Sequence, residues 1–292
     1  MKKRPIPLAI IMCALVVVGL MCGGTLEGQS LVENARVTST IAQVKEYESA
    51  VTSFRDAYGA FPGDFANAGK ALKGCTGIDG SDCNPFSSSA GDNIIGTKDF
   101  AKNWKSQVTD KTNVPAISAA DETILFWAHL RLAGFLNTPA DKVNNDGINK
   151  GSPIAFGTTN PAARIGGGFI VGYADGTPLP LSLAPKNQGM AGTVIELVSS
   201  DALNGKAELN APEEQPLQPN FAAQMDQKMD DGRAATGFVQ AYGSPRCFSS
   251  DKNETLWEEI KRWPNERYIT KEGEYNESIS ENDCGLIFRI QG

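Results

Sequence analysis

The sequence predicts an α+β fold: a long N-terminal helix, apolar enough in its first half to cross a membrane, packed on a small antiparallel sheet with extra helices and loops. Three observations predict it. Residues 5–26 (PIPLAIIMCALVVVGLMCGGTL) carry no charge, between a Lys2-Lys3-Arg4 head and Glu27. Apolar side chains then recur every three or four residues from Val37 to Tyr58. Beyond residue 64 the chain turns to Gly, Asn, Ser and Asp, broken by short apolar islands of the kind that form strands and loops.

As a helix, the 22 uncharged residues at 5–26 span roughly 33 Å, enough for a bilayer core of about 30 Å. The basic head stays cytoplasmic, which puts the rest of the chain outside an inner membrane. A cleaved signal peptide is the competing reading. Its apolar stretch fits, but Cys22-Gly23-Gly24 offers small residues without an A-x-A site. The helix continues past the apolar run. Val37, Ile41, Val44, Tyr47, Val51, Phe54 and Tyr58 step by three and four and define one face, with Ile41, Val44, Val51 and Phe54 as its packing residues. Gly59 and Pro62-Gly63 end it. The chain divides into a basic leader (1–5), a transmembrane and spine helix (6–58) and an α+β body (59–292).

Within the body a second helix is expected at 119–136, with Ser118 and Asp121 as a capping pair and Ile124, Leu125, Ala128, Leu132 and Phe135 as its apolar face. Strands are expected at 167–173, 192–198 and 285–290. A third helix is expected from near Pro219 to Gly232. Cys75 and Cys83 bracket a short loop and Cys247 and Cys284 the C-terminal stretch, while Cys13 and Cys22 lie in the apolar run. Four cysteines in an exported body imply two disulfides. Three pairings are open, and the local one, Cys75–Cys83 with Cys247–Cys284, is the expectation.

Composition narrows function. Lys2, Lys3 and Arg4 contribute +3 to a net charge of −7, so the remainder carries −10. Such a body does not bind nucleic acid through bulk charge. A single histidine excludes a multi-histidine metal site, and His129, in a Trp-Ala-His-Leu stretch of an amphipathic helix, reads as structural. No G-x-S-x-G, P-loop, H-E-x-x-H or C-x-x-C occurs, so no enzymatic chemistry is assigned and no cofactor is expected. Loops 79–82 and 144–147 have the oxygen-rich make-up of structural calcium sites but neither EF-hand spacing nor a closing Glu, and read as polar turns. Asp226, Asp230 and Asp231 have the spacing for a cation or for acid–base work; with Lys228 and Arg233 beside them they read as a solvated helix end. Trp127, Trp257 and Trp263 read as core or interface residues.

Five stretches, in order along the chain, carry a family resemblance: LVVVGLMCGGTLEGQSLVENA (15–35), IAQVKEYESAVTSFRDAYGAFPGD (41–64), ETILFWAHLRLAGFL (122–136), MDQKMDDGRAATG (225–237) and CGLIFRI (284–290). Together they resemble the type IV pilins and type II secretion pseudopilins, and within that superfamily a group of larger proteobacterial pseudopilin-like proteins. The resemblance implies a pilin-like fold and a non-enzymatic subunit of a type II secretion or type IV pilus assembly. It implies a single-pass inner-membrane helix, a cytoplasmic N-terminus and a periplasmic body. Its partners are other pilin or pseudopilin subunits, prepilin peptidase and secreted cargo. In the family a leader ending in Gly precedes Phe-(Thr/Ser)-Leu-x-Glu, and cleavage after the Gly is followed by methylation of the new amine. Aligned on Gly28-Gln29-Ser30, that Gly is Pro5, the Phe is Ile6 and the Glu is Ile10. The family Glu is thought to neutralise a neighbour's buried amine, which Ile10 cannot do. Large tip subunits of the family are similar in lacking that Glu, so the resemblance points to a tip subunit. The alternative is a periplasmic binding protein, anchored or secreted, that enters no filament.

Overall fold

A computed structural model describes residues 8–75, 83–85, 90–96, 122–136, 156–175, 190–199, 213–249 and 274–290. Within the first helix the side chains are described for Met12 and from Leu31 onward. The fold is mixed α and β, with a few helices on a small antiparallel sheet of four strands.

Helix α1 spans Leu8–Tyr58. Its face at Val37, Ile41, Val44, Tyr47, Val51 and Phe54 is buried, as the spacing predicts, and Tyr58 is half-buried. The helix ends at Gly59, whose positive φ of 65° lets its N–H reach the Arg55 carbonyl at 2.8 Å. Gly63 follows with φ 89°, and a Cβ there would overlap the Glu122 carbonyl. The Pro-Gly-Asp stop is therefore a close approach of two backbones as well as a turn. A short helix α2 (Ala68–Ala71) follows.

Helix α3 runs Glu122–Leu132, and every residue from Glu122 to Leu130 is buried. The expected one-sided apolar face is too narrow, because α3 is enclosed all round. Of its three buried polar side chains, Glu122 and His129 find partners in neighbouring loops, and Thr123 is engaged as well. The capping pair Ser118 and Asp121 lies outside the described residues. The helix closes on Gly134 (φ 77°), with Phe135 and Leu136 N–H turning back to the Leu130 carbonyl.

Strands β1 (Gly168–Asp175), β2 (Ala191–Val198), β3 (Val239–Gly243) and β4 (Cys284–Arg289) form a sheet in the order β1-β2-β4-β3, antiparallel throughout. Three of them match the expected strands within two residues. Strand β3 was not expected: it has five residues, and buried Gln240 interrupts its apolar pattern. The inner face carries Phe169, Val171, Ile195, Leu197, Leu286 and Phe288, which share one continuous core with the α1 stripe. The outer face is also buried at Ile170, Val194, Val198 and Ile287. Tyr47 sits where helix, helix and sheet meet, with Trp127 edge-on at 5.1 Å and Phe169 at 5.2 Å.

Helix α4 (Pro219–Met229) starts with Pro at its first turn and places Ala222 and Met225 in the core. A 3₁₀ turn (Pro245–Cys247) then leads into the second disulfide. The bridges are Cys75–Cys83 and Cys247–Cys284, the local pairing.

Candidate functional site

The described side chains of α1 divide at residue 37. From Val37 onward one stripe is buried against the body, whereas Leu31 to Arg36 are all exposed. Val32, Glu33 and Arg36 extend the same stripe, since Glu33, Val37, Ile41 and Val44 follow one another by four, four and three. The helix thus offers an open surface next to one already used for packing. Ile41, Val44, Val51 and Phe54 all lie on the buried part.

Pro5 and Ile6 lie outside the described residues. Ile10 lies in α1, among residues whose side chains are outside the description. Among the residues described through their side chains, no helix is long and apolar enough to cross a membrane. Apart from Met12, the uncharged run at 5–26 falls outside that set. Both oxygen-rich loops, Trp257 and Trp263 also lie outside the described residues.

His129 is structural, as its setting in α3 suggests. Gly63 N–H donates to Nδ1 at 2.9 Å, and Nε2 donates to the Cys83 carbonyl at 2.7 Å. That is the neutral Nε2–H tautomer, stacked on Phe54 at 6.0 Å. Burial lowers its pKa to about 4. One imidazole therefore ties the end of α1 to the first disulfide loop. Asp64 adds a second tie by accepting the N–H groups of Gly91, Asp92 and Asn93. Glu122 Oε2 accepts the Gly96 N–H at 2.8 Å.

In the acidic group at the end of α4 only Asp226 departs from the solvated helix end, since Asp230 is half-buried and Asp231 exposed. Asp226 is fully buried, because it follows Ala222 and Met225 on the inward face of α4. The Tyr275 hydroxyl donates to its Oδ2 at 2.8 Å and Gly232 N–H to its Oδ1 at 3.2 Å. Burial raises its pKa to about 7, against the opposing effect of these two donors. Asp230 and Asp231 bring ligand oxygens within 4.8 Å of it and of each other. They are engaged in shaping the turn: Asp230 Oδ2 accepts the N–H groups of Phe238 and Val239, and Asp231 accepts Arg233 N–H and the Thr236 hydroxyl. These acids act as loop scaffolding, with no reacting group beside them among the described residues.

Two further polar positions were not anticipated. Arg246 pairs with Glu213 at 3.1 Å, Glu281 at 2.9 Å and buried Asp283 at 3.4 Å, beside the second disulfide. Glu196 sits in β2 opposite Ile170 and Ile287, and burial raises its pKa to about 7. The sequence signal for both was an acid inside or against an apolar strand, in GTVIELV and DCGLIF.

No family model, curated protein or solved structure matches this chain.

Proposed function

We propose that this chain is a pilin-like, non-enzymatic assembly subunit. In this reading residues 6 to about 30 anchor it in the inner membrane, the oxidised body lies in the periplasm, and the open part of α1 packs on neighbouring subunits. The observation that carries the reading is the division of one helical stripe into a closed part from Val37 and an open part before it. A 51-residue helix ending in a body braced by two disulfides suits a part that must hold shape while its rod is held elsewhere. The buried polar groups support a non-enzymatic role, since His129, Asp226 and Asp283 each hold neighbouring backbone or side-chain groups in place.

The test is the intact mass and N-terminal sequence of the protein isolated from native membranes. A methylated N-terminus at Ile6 would support the reading and show that cleavage occurs after Pro5, where the family has Gly. An intact Met1 would favour the permanently anchored binding protein, and a start near Thr25 would mean an ordinary signal peptide and sink the assembly reading.

A further inference from the structure

The turn at residues 276–279 carries polar atoms that neither the fold nor the assembly reading uses. Its sequence opens Asn276-Glu277-Ser278, the N-x-S pattern of an N-glycosylation acceptor with a middle residue other than Pro. Three such residues recur by chance, so the setting decides.

The backbone forms a β-turn, in which Ile279 N–H donates to the Asn276 carbonyl at 3.1 Å. Asn276 N–H donates to the Cys247 carbonyl at 2.9 Å, which ties the turn to the second disulfide. Both bonds use the main chain, so the Asn276 side chain is not needed to hold the turn. Its Oδ1 accepts the Ser278 hydroxyl at 2.6 Å. An amide is planar, with oxygen and nitrogen on opposite sides of its carbon, so this bond faces Nδ2 away from the serine hydroxyl. Nδ2 has no hydrogen-bond partner among the described residues and is not one of their buried unpaired atoms. Asn276 is half-buried, with Glu274, Glu277 and Ser278 exposed around it. The Glu274 carboxylate, two residues before Asn276, offers a transferase a charge to hold beside the reacting amide. Two disulfides are the chemistry of an oxidising compartment, on the side of the membrane where lipid-carried oligosaccharides are transferred.

We propose that Asn276 is the acceptor of an N-linked oligosaccharide. The donor is an oligosaccharide carried on a polyprenyl diphosphate, and the catalyst is a membrane-bound oligosaccharyltransferase. Asn276 Nδ2 forms a bond to the anomeric carbon of the first sugar. The bond from that carbon to the diphosphate oxygen breaks, and the polyprenyl diphosphate leaves with the electron pair. Nδ2 gives up one proton to a base of the transferase, so the product is a neutral secondary amide and nothing is oxidised or reduced. The inference rests on the part of the assembly reading that puts the body in the periplasm. It adds to that reading, because a bulky hydrated chain on this turn keeps the second disulfide corner out of any subunit contact. A second N-x-T, Asn253-Glu254-Thr255, lies outside the described residues and is not part of the proposal.

The test is peptide mapping by mass spectrometry of the full-length chain isolated from its native membranes. The state of Cys75, Cys83, Cys247 and Cys284 is read in the same digest. The expected result is a peptide holding Asn276 with an oligosaccharide linked through the asparagine. Asn276→Gln and Ser278→Ala should each abolish that glycopeptide, and Ser278→Thr should retain it. Intact disulfides in each variant show that the body is folded. A bare Asn276 with both disulfides formed would overturn the inference and leave the assembly reading standing. A bare Asn276 with reduced cysteines would overturn both, since the body would then lie in a reducing compartment. Sugar found only at Asn253, or linked to the Ser278 hydroxyl, would overturn the assignment to Asn276.

Discussion

The two disulfide-bearing corners of the body solve the same problem with opposite chemistry. At the Cys75–Cys83 corner, the loop after α1 is held by a buried neutral imidazole that donates once and accepts once. At the Cys247–Cys284 corner, carboxylates do the holding: Asp226 through Tyr275 and Gly232, and Asp283 through Ser244, Glu213 N–H and Arg246. Burial pushes each titrating group toward its neutral form, which lowers the pKa of the histidine and raises that of Asp226. A fold can therefore pin two loops equally well and still give them opposite responses to pH.

The largest expected effect separates the corners by covalent reach. The second disulfide spans 37 residues and the first spans 8. On the chain-entropy account, replacing Cys247 and Cys284 by Ser should cost about 4 kcal/mol, against about 2.5 kcal/mol for Cys75 and Cys83. Urea unfolding with an unchanged slope would measure both, and equal losses would show that loop length does not set the difference.

Next comes the backbone. Gly63→Ala adds a methyl group where the Glu122 carbonyl already stands, at φ 89°, and should cost about 3 kcal/mol. Gly237 also has positive φ (80°), but its obstacle is the Asp230 carboxylate, the end of a side chain that can turn away. Gly237→Ala should therefore cost less, about 1–2 kcal/mol. A reversed order in the same unfolding assay would place the rigid point at the other corner.

The pH response is the third. The His129 pKa lies below its unfolded value, so its contribution is present above about pH 6.5 and is lost as pH falls toward 4. From pH 7 to pH 5 that loss is about 2 kcal/mol. The Asp226 pKa lies above its unfolded value, so its contribution is present at low pH and is lost as pH rises through about 7. Over the same interval the two slopes nearly cancel. Asp226→Asn should uncover stability that falls on acidification, and His129→Gln stability that falls toward neutrality. Unfolding midpoints at pH 5 and pH 7 for both variants check this, and parallel slopes would refute it.

The smallest expected effect is Tyr275→Phe, which removes one donor from Asp226 and should cost about 1 kcal/mol. Because that donor holds the Asp226 pKa down, its loss should also move the carboxyl titration upward, as read by carbon-13 NMR of Asp226.

The packed part of α1 was legible because burial on a helix leaves a period. Val37 to Phe54 step by three and four, and the same residues are buried. The strands with unbroken apolar runs were legible too. Strand β3 was not, because its place in the sheet comes from pairing with β4 and not from its own five residues. Helix α3 misled in another way: an apolar face can be read from sequence, but enclosure on the opposite side comes from loops such as those carrying Gly63 and Gly96. The Asp226 position could have been suspected from Ala222 and Met225 before it. Its partner Tyr275 lies 49 residues away, and no local pattern joins them.

Strand β3 lies at the margin of the sheet, where unpaired N–H groups would invite another strand. Its own chain occupies that margin: Asp230 takes the Val239 N–H and the Ala234 carbonyl takes the Ala241 N–H. The loop after α4 therefore works as a guard against amyloid-like stacking. At this margin the sheet of one molecule stays chemically closed to a strand of another.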